Sequence, residues 1–345
     1  MDIQAWGFTA HFAALANDYP DLVPARVISQ ERGSWRVVHA NGEQSAQLSG
    51  RFRFDAAAEN HPTVGDFAML EVDNSGGPAL IRALLPRRSV FLRRAAGEAR
   101  RAQAVAANVA IAFICMSLNQ NFNLRRLERY LAAAWESGAT PAVLLTKADL
   151  CADASKKRAE AAEVAVGVDV MCVSALEVDG CDAVRAYLAP GKTIALIGSS
   201  GVGKSTLTNY LLGEAQLATG EIRGDGRGRH TTTRRELMLL PGGGCIIDTP
   251  GMRELGMWDA ADGLERAFSD IDALAQGCRF RDCKHNAEPG CAVRTAVASG
   301  RLSTARLQSW RKLQAENIYG QAGYQTARTQ KFKAIAKINR SNPKK

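Results

Sequence analysis

The sequence lacks a long hydrophobic run. Its longest apolar stretch extends from Val105 to Met116 and contains Asn108, and it is shorter than the roughly 20 residues that a membrane-spanning helix needs. No basic N-terminal segment leads into an apolar core and a small-residue cleavage site, which is the pattern of a secretory signal. We therefore expect a cytoplasmic protein with no membrane partner, in which the stretch from Val105 to Met116 forms a buried strand.

Acidic residues are scarce near the C-terminus. Residues 301–345 contain 11 lysines and arginines but a single acid, Glu316. The formal net charge is +9 over 345 residues, so the first 300 residues are nearly neutral, with 33 basic and 34 acidic side chains. A basic tail on a neutral body favours a polyanionic partner, although a tail that only aids solubility explains the composition equally well.

The N-terminal region has the pattern of a small β-barrel. Turn signals separate five predicted strands: Ala25–Gln30, Ser34–Ala40, Ser45–Phe54, Asp66–Val72 and Ala79–Leu85. Five short strands in about 60 residues suit a barrel of the OB type, which often binds nucleic acid. A candidate basic rim consists of Arg51, Arg53, Arg87, Arg88, Arg93 and Arg94.

Apolar runs alternate with helix-like segments beyond about residue 105, which predicts a mostly parallel sheet with helices on both faces. The predicted strands are Val109–Met116, Ala142–Leu145, Val168–Val173, Thr193–Ile197 and Cys245–Ile247. We expect a multidomain α/β protein with a barrel over residues 1–97, a nucleotide-binding domain over 98–267, and a Cys-rich domain with a basic helical tail over 268–345.

A glycine-rich segment after the strand Thr193–Ile197 fits the phosphate-loop pattern at every specified position. It consists of Gly198, Ser199, Ser200, Gly201, Val202, Gly203, Lys204 and Ser205. Its glycines let backbone N–H groups face phosphate oxygens, and the helix that begins near Thr206 presents its positive end to the same anion. We expect Lys204 to reach the outer phosphates, Ser205 to bind Mg²⁺, and Thr206 to complete the nucleotide site.

Two later segments have the pattern of nucleotide switches. Asp248 follows the last predicted strand, where it can hold Mg²⁺ through water, and Gly251 can donate its N–H to the γ-phosphate. Between the phosphate loop and Asp248 lies a glycine-rich stretch that ends in His230 and three threonines. Thr232 is the predicted Mg²⁺ ligand of this loop, with Thr231 as the alternative, although an ordinary flexible linker has a similar composition.

A guanine-recognition motif precedes the phosphate loop. Thr146, Lys147 and Asp149 follow a predicted strand and resemble the Asn-Lys-x-Asp motif of GTPases, with threonine in place of asparagine. The carboxylate can accept two hydrogen bonds from guanine that adenine does not offer, a difference that can discriminate by roughly 10⁴–10⁵. Ser174 and Ala175 resemble the segment that contacts the base oxygen O6. In common small GTPases these motifs follow the phosphate loop, so their order here indicates circular permutation.

Three clustered cysteines and a histidine form a candidate metal site. The spacing of Cys278, Cys283, His285 and Cys291 supplies three thiolates and one imidazole within fourteen residues. This is a closed tetrahedral set, which predicts one structural Zn²⁺ with no open position for catalysis. The other five cysteines are scattered, and in a reducing cytosol they are expected to be free thiols.

The combined motifs resemble one family, the ribosome small-subunit-dependent GTPases of the RsgA/YjeQ type. The resemblance covers nearly the whole chain, from the barrel through residues 146–149, 198–205, 229–232 and 248–251 to the Cys/His cluster. It implies GTP hydrolysis to GDP and phosphate that is stimulated by the small ribosomal subunit, contact with rRNA, and a role in late maturation of that subunit.

The residue after Gly251 is Met252, where Ras-like enzymes have a glutamine that orients the attacking water. We therefore expect slow intrinsic turnover that a partner accelerates. His230 is a candidate to position the water, with contact to rRNA or solvent as an equal alternative. The residues expected to take part in hydrolysis are His230, Lys204 and Thr232.

Three alternatives remain open at this point. A phosphate-loop ATPase is disfavoured by Asp149, and a nucleic-acid-binding module with a dead nucleotide site is disfavoured by the presence of Lys204, Ser205 and Asp248. A permuted GTPase that acts on another RNA or on the large subunit is disfavoured only by the resemblance. Nothing in the sequence requires more than a monomer.

Overall fold

The N-terminal strands close into a five-stranded barrel. The computed structural model describes residues 2–31, 33–50, 52, 60–72, 76–94, 102–119, 121–177, 179–213, 235–248 and 260–318. After helix α1 (Ala10–Ala16), the barrel strands are β1 (Val23–Gln30), β2 (Trp35–His39), β3 (Gly42–Leu48), β4 (Phe67–Glu71) and β5 (Ala79–Leu84). They are hydrogen-bonded in the order β1-β2-β3-β5-β4, and β4 pairs back to β1. The predicted barrel is therefore confirmed.

The third barrel strand is shorter than predicted. It ends at Leu48, and Gly50 and Phe52 are helical instead of extended. The Ser49 hydroxyl accepts a hydrogen bond from the Phe52 backbone N–H at 3.3 Å. A serine that bonds the backbone locally offers the chain an alternative to the strand ladder, which explains the early end of β3.

The apolar run from Val105 to Met116 forms two strands, so the prediction of a single strand was wrong. An antiparallel ribbon joins β6 (Val90–Arg94) to β7 (Ala102–Ala107), and the central sheet begins with β8 (Ile111–Ser117). Asn108 separates them, because it adopts a left-handed φ of 55° that interrupts extended backbone. Its side-chain amide donates to the Gly65 carbonyl at 3.0 Å and accepts from the Arg88 N–H at 2.9 Å, which stabilises the turn.

The central sheet has helices on both faces, as predicted. Its strands are β8, β9 (Thr140–Thr146), β10 (Val170–Val173), β11 (Thr193–Ile197), β12 (Glu236–Leu239) and β13 (Cys245–Asp248), in the order β10-β9-β8-β11-β13-β12. All neighbours are parallel except β12, which is antiparallel to β13. Helices α2 (Leu124–Glu136) and α3 (Ala154–Val164) pack on one face, and α4 (Asp182–Arg185) and α5 (Lys204–Leu212) pack on the other.

The barrel and the central sheet are joined at strand β1. Ser29 of β1 pairs with Glu236 of β12, which makes one continuous 11-stranded sheet. The buried Arg26 guanidinium donates to the Trp6 carbonyl at 3.1 Å and to the Thr193 hydroxyl at 3.0 Å. Burial lowers the pKa of Arg26 to about 10. This strand pair and this buried cation are among the contacts that connect the two units.

One arginine of the candidate basic rim has a structural role. Arg87 Nε lies 2.7 Å from Asp66 Oδ1, whose side chain is fully buried, and Arg87 Nη2 donates to the His61 carbonyl at 2.9 Å. Because its donors are held by the barrel, Arg87 does not belong to a free cationic surface. Arg51 and Arg53 lie outside the described residues.

The C-terminal part is helical and packs against α2. Its helices are α6 (Ala261–Ala267), α7 (Ser269–Ala275), α8 (Ala292–Ala298) and α9, which covers residues 304–318 of the described chain. Gly263 of α6 lies so close to α2 that an added Cβ would be 2.2 Å from the Ala132 carbonyl oxygen. Among the described residues, no helix is long and apolar enough to span a bilayer.

A buried ion-pair network attaches α9 to the central domain. Arg306 Nη1 donates to Glu128 Oε1 of α2 at 2.9 Å, and Arg306 Nη2 donates to Asp270 Oδ1 of α7 at 2.8 Å. Burial disfavours the charged form of Arg306, but its bonds to Asp270 and Glu128 outweigh this, so its pKa is raised above the ordinary value. The Glu128 side chain is fully buried and also accepts hydrogen bonds from Arg125 and Ser309.

Arg306→Met should destabilise the protein by about 3 kcal/mol, because it leaves a buried carboxylate with one partner fewer. Urea unfolding of the purified chain measures this change, and Arg301→Met at an exposed position of the same module is the control. A loss of less than about 1 kcal/mol, the value of an exposed pair, would contradict the structural role assigned to Arg306.

Candidate functional site

The candidate site lies where the parallel strands of the central sheet end. β9 ends at Thr146, β11 at Ile197 and β13 at Asp248. The strand register places Ser117 beside Thr146 and Ile114 beside Ile197. Because the carboxyl ends of parallel strands meet at one edge, the segments that follow these strands form a single cluster, the usual position of a ligand site in such sheets.

The glycine-rich segment forms a tight loop between β11 and α5. An added Cβ at Gly198 would lie 2.4 Å from the Cys115 carbonyl oxygen, so only glycine fits there. Gly201 and Gly203 have positive φ values of 76° and 92°, which favour glycine. Helix α5 begins directly afterwards at Lys204. The loop therefore presents a helix N-terminus to the interior of its turn, which is the geometry that binds a phosphate.

Lys204 and Asp248 bring opposite charges to this loop. The Lys204 ammonium donates to the Gly198 carbonyl at 2.8 Å and to the Ser199 carbonyl at 2.7 Å, and Asp248 is buried at the end of β13. Both charges act on the Cys115 thiol, whose pKa burial raises to about 12, with Lys204 opposing and Asp248 adding to the shift. Cys115 is thus a protonated thiol beneath the loop.

Two hydrogen bonds join the guanine-recognition motif to the phosphate loop. The Thr146 hydroxyl donates to the Val202 carbonyl at 2.6 Å, and the Lys147 ammonium donates to the Gly201 carbonyl at 2.8 Å. Partial burial lowers the pKa of Lys147, and the nearby Asp149 carboxylate opposes that shift. Asp149 is exposed within the 3₁₀ turn Ala148–Leu150. Motifs that are more than 50 residues apart in the chain therefore form one site.

The Ser-Ala segment lies beside the same motif. Val173 at the end of β10 pairs with Thr146, so Ser174 and Ala175 emerge next to Lys147. The Ser174 N–H donates to the Gly180 carbonyl at 3.0 Å. An added Cβ at Gly180 would lie 2.1 Å from the Ser174 oxygen, so this glycine permits the close turn.

The switch residues predicted from the sequence lie outside the described residues. These are His230, Thr231, Thr232, Gly251 and Met252. The structure therefore places the guanine motif, the phosphate loop and Asp248 together, and the roles of the switch residues stay predictions.

Sequence reasoning missed two side chains that contact the phosphate loop. Asn121 Nδ2 donates to the Ser199 hydroxyl at 2.9 Å, and Arg126 Nη1 donates to the same oxygen at 3.2 Å. Arg126 also donates to the Asn121 side-chain oxygen. Helix α2 starts here, with Asn123 as its N-cap. Polar residues immediately after the buried strand β8 were the available signal, because that strand neighbours β11.

The cysteine and histidine side chains converge on one point. The Sγ atoms of Cys278, Cys283 and Cys291 and a ring nitrogen of His285 all lie within 4.8 Å of one another. Cys278 and Cys291 Sγ are 3.9 Å apart, and His285 Nδ1 is 3.6 Å and 3.5 Å from them. A tetrahedron with metal–sulfur bonds of about 2.3 Å has sulfur–sulfur edges of about 3.8 Å. The four side chains thus form a candidate metal centre of the predicted shape.

Neighbouring groups hold the turn that carries His285. The Glu288 carboxylate accepts the backbone N–H groups of Lys284 at 2.9 Å, Asn286 at 2.7 Å and Ala287 at 3.0 Å. The backbone N–H of Glu288 itself and these three groups lower the pKa of Glu288. Arg311 of α9 donates to the His285 carbonyl. The Cys/His cluster is therefore attached to the same helix that packs against α2.

A phosphate loop hydrogen-bonded to a base-recognition motif that precedes it in the chain defines a circularly permuted GTPase. Residues 84–258 match the family model described as RsgA GTPase. The small ribosomal subunit biogenesis GTPase RsgA 2 of Lactiplantibacillus plantarum is 49% identical to this chain over 92% of the chain and 90% of the relative. The chain therefore belongs to the RsgA GTPase family and is a GTP-hydrolysing enzyme.

Two solved structures share the fold. YjeQ from Thermotoga maritima superposes with a TM-score of 0.64 and 25% identity, covering 86% of this chain and 99% of its own. YloQ, described as a circularly permuted GTPase, superposes with a TM-score of 0.60 and 24% identity, covering 86% of this chain and 94% of its own. Both likenesses agree with the permuted strand order found here.

Thr146→Val should weaken GDP binding about twofold to tenfold, because it removes one hydrogen bond that shapes the phosphate loop. Titration with a fluorescent GDP analogue measures this change. Thr140→Val is the matched control, since Thr140 is exposed at the opposite end of β9. Equal affinity in the Thr146 variant and the control would show that the hydroxyl does not support the loop.

Proposed function

We propose that this enzyme is stimulated by the small ribosomal subunit and acts in late maturation of that subunit through contact with rRNA, as a cytoplasmic monomer. The main support for guanine-nucleotide binding is the pair of hydrogen bonds from Thr146 and Lys147 to the phosphate loop. The choice of particle is supported by the relatives, whose names describe small ribosomal subunit biogenesis GTPases. The basic residues of the C-terminal tail support a polyanionic partner.

Base recognition is assigned to the side chains after β9 and β10. Asp149 accepts hydrogen bonds from guanine N1–H and the 2-amino group, and the Ser174–Ala175 backbone contacts O6. Lys147 packs its stem along the base while its ammonium remains on the Gly201 carbonyl. An adenine would leave the Asp149 carboxylate without these partners, which explains a preference for guanine.

Phosphate binding and hydrolysis are assigned to the loop and to the two switches. The backbone N–H groups of residues 198–205 and the Lys204 ammonium bind the phosphates, and Thr206 completes the site in the first turn of α5. Ser205 and Thr232 would hold Mg²⁺, with Asp248 contributing through a water, and the ion would supply positive charge to the phosphates. Gly251 contacts the γ-phosphate, and His230 positions the attacking water.

We assign Zn²⁺ to the cluster formed by Cys278, Cys283, His285 and Cys291. Three sulfurs and one nitrogen at tetrahedral spacing suit zinc and leave no position for a substrate. The ion would crosslink the turns before α8, where few apolar side chains are available to stabilise the fold. Its role is therefore structural.

Small subunits should raise GTP turnover about tenfold or more, since partner-supplied groups can be worth about 10³–10⁵ in rate. Phosphate release is measured for the purified chain alone, with small subunits and with large subunits, each with excess ATP as competitor. Stimulation should fall as salt increases, because the contact with rRNA is electrostatic. Equal stimulation by large subunits would contradict the proposed particle, and competition by ATP would contradict the guanine assignment.

The purified protein should contain one zinc ion per chain, and Cys283→Ser should lose it and unfold at a lower temperature, because metal binding contributes directly to folding. Elemental analysis and thermal unfolding measure both effects. Cys172→Ser, at a half-buried cysteine of β10, is the matched control and should retain the metal. Full zinc content in the Cys283 variant would contradict the assignment.

A further inference from the structure

Helix α2 contacts the phosphate loop with one end. Arg126 in its first turn and Asn121 just before it both donate hydrogen bonds to the Ser199 hydroxyl, at 3.2 Å and 2.9 Å. The carbonyl of Ser199 accepts the Lys204 ammonium at 2.7 Å. The side chain and the backbone of one loop residue are thus held by α2 and by the phosphate-binding lysine, so a shift of Ser199 must disturb both.

The next turn of α2 contacts the C-terminal helix α9. Glu128 accepts hydrogen bonds from Arg306 at 2.9 Å and from Ser309 at 2.5 Å. Arg129 donates to Glu316 with both terminal nitrogens, at 2.5 Å and 2.9 Å. Arg126 and Glu128 lie within one turn of each other, so both contacts are carried by a single rigid helical segment.

We propose that Arg126 is a positioning residue for GTP hydrolysis, which sets the shape of the phosphate loop through Ser199, and that α9 controls its position through α2. A particle that binds the C-terminal module and displaces α9 then changes turnover without touching the nucleotide. This coupling connects α9 to the phosphate loop through α2 and does not involve the predicted switch residues.

The geometry predicts that loss of the contacts with Ser199 lowers the rate of GTP hydrolysis and has little effect on folding. Asn121 and Arg126 are half-buried, and the contact with Ser199 is formed by a guanidinium, an amide and a hydroxyl at the surface of the loop. Their loss leaves the apolar core of α2, which includes Leu127 and Leu131, intact. A displacement of about 1 Å at a reacting centre can nevertheless cost about 10² in rate. The predicted signature is therefore a change in kcat with a small change in stability.

The first experiment tests the loop end of α2 in the absence of ribosomal particles. Arg126→Gln should lower the intrinsic kcat about tenfold or more while KM for GTP changes less than about threefold, since the contact shapes the loop and does not bind the base. Arg126→Lys, which retains a donor, should recover part of the rate. Arg158→Gln, an exposed arginine of α3, is the control and should leave kcat unchanged.

Thermal unfolding distinguishes positioning from a structural role. A purely structural role predicts that Arg126→Gln lowers the unfolding temperature and that the kcat of the folded fraction is normal. An unchanged kcat, or a rise in KM that accounts for the whole loss of kcat/KM, would also overturn the proposal.

The second experiment tests the coupling to α9 with the half-exposed pair Arg129–Glu316. Arg129→Glu and Glu316→Arg should each lower the intrinsic kcat, and the double variant should restore it because the exchanged charges can pair again. In an Arg126→Gln background the same changes should have no further effect, since they act through Arg126. Equal fold-changes in both backgrounds, or no rescue in the double variant, would overturn the control by α9.

These measurements use intrinsic turnover only, so their outcome is independent of the particle that stimulates the enzyme. If wild-type protein is not stimulated by small subunits, the proposed function fails while the positioning role of Arg126 can still be supported. If stimulation occurs, the Arg129→Glu variant should also show at least about fivefold less stimulation, since a particle-induced shift of α9 would no longer reach Arg126.

Discussion

The nucleotide site depends on the attachment of the phosphate loop to the end of β9. Glycines make this loop deformable, so its shape must come from groups outside it. Thr146 and Lys147 supply two of these contacts, at the Val202 and Gly201 carbonyls. A threonine has one hydroxyl where the usual asparagine has two polar groups, and here that hydroxyl is already committed to the loop. The predicted base-recognition motif and the phosphate loop are thus parts of one hydrogen-bonded unit.

Circular permutation changes the chain connections of this unit and leaves its spatial arrangement intact. The parallel strands still end at one edge, and a buried aspartate, a glycine-rich loop and a base-recognition segment still meet there. The next element that the structure describes after β13 is α6, which packs backbone to backbone on α2 at Gly263. The C-terminal helices therefore cover the helix whose first turn reaches the phosphate loop.

The sequence was sufficient to predict features that depend on local patterns. The barrel, the alternating strands, the phosphate loop and the Cys/His cluster all follow from spacing and turn chemistry. Features that depend on contacts between residues far apart in the chain could not be predicted from local sequence patterns. The division of the apolar run at Asn108 could be predicted only if the hydrogen bond between its amide and the Gly65 carbonyl were known. Likewise, the sequence alone gives Arg87 as a surface cation, because its ion pair with Asp66 is a tertiary contact. The contact of Arg126 with Ser199 likewise joins residues that are 73 positions apart.

The position of β11 in the sheet has a consequence for synthesis of the chain. This strand lies between β8 and β13. During synthesis β8, β9 and β10 therefore leave the ribosome before β11, and the edge of β8 stays uncovered until β11 follows. The barrel can close early, because its five strands are contiguous in the chain, whereas the central sheet is complete only after Asp248 has emerged. An exposed strand edge is prone to pairing with other chains. The interval between the emergence of β8 and that of β13, and not barrel closure, is therefore the part of synthesis in which the nascent chain is most vulnerable to aggregation.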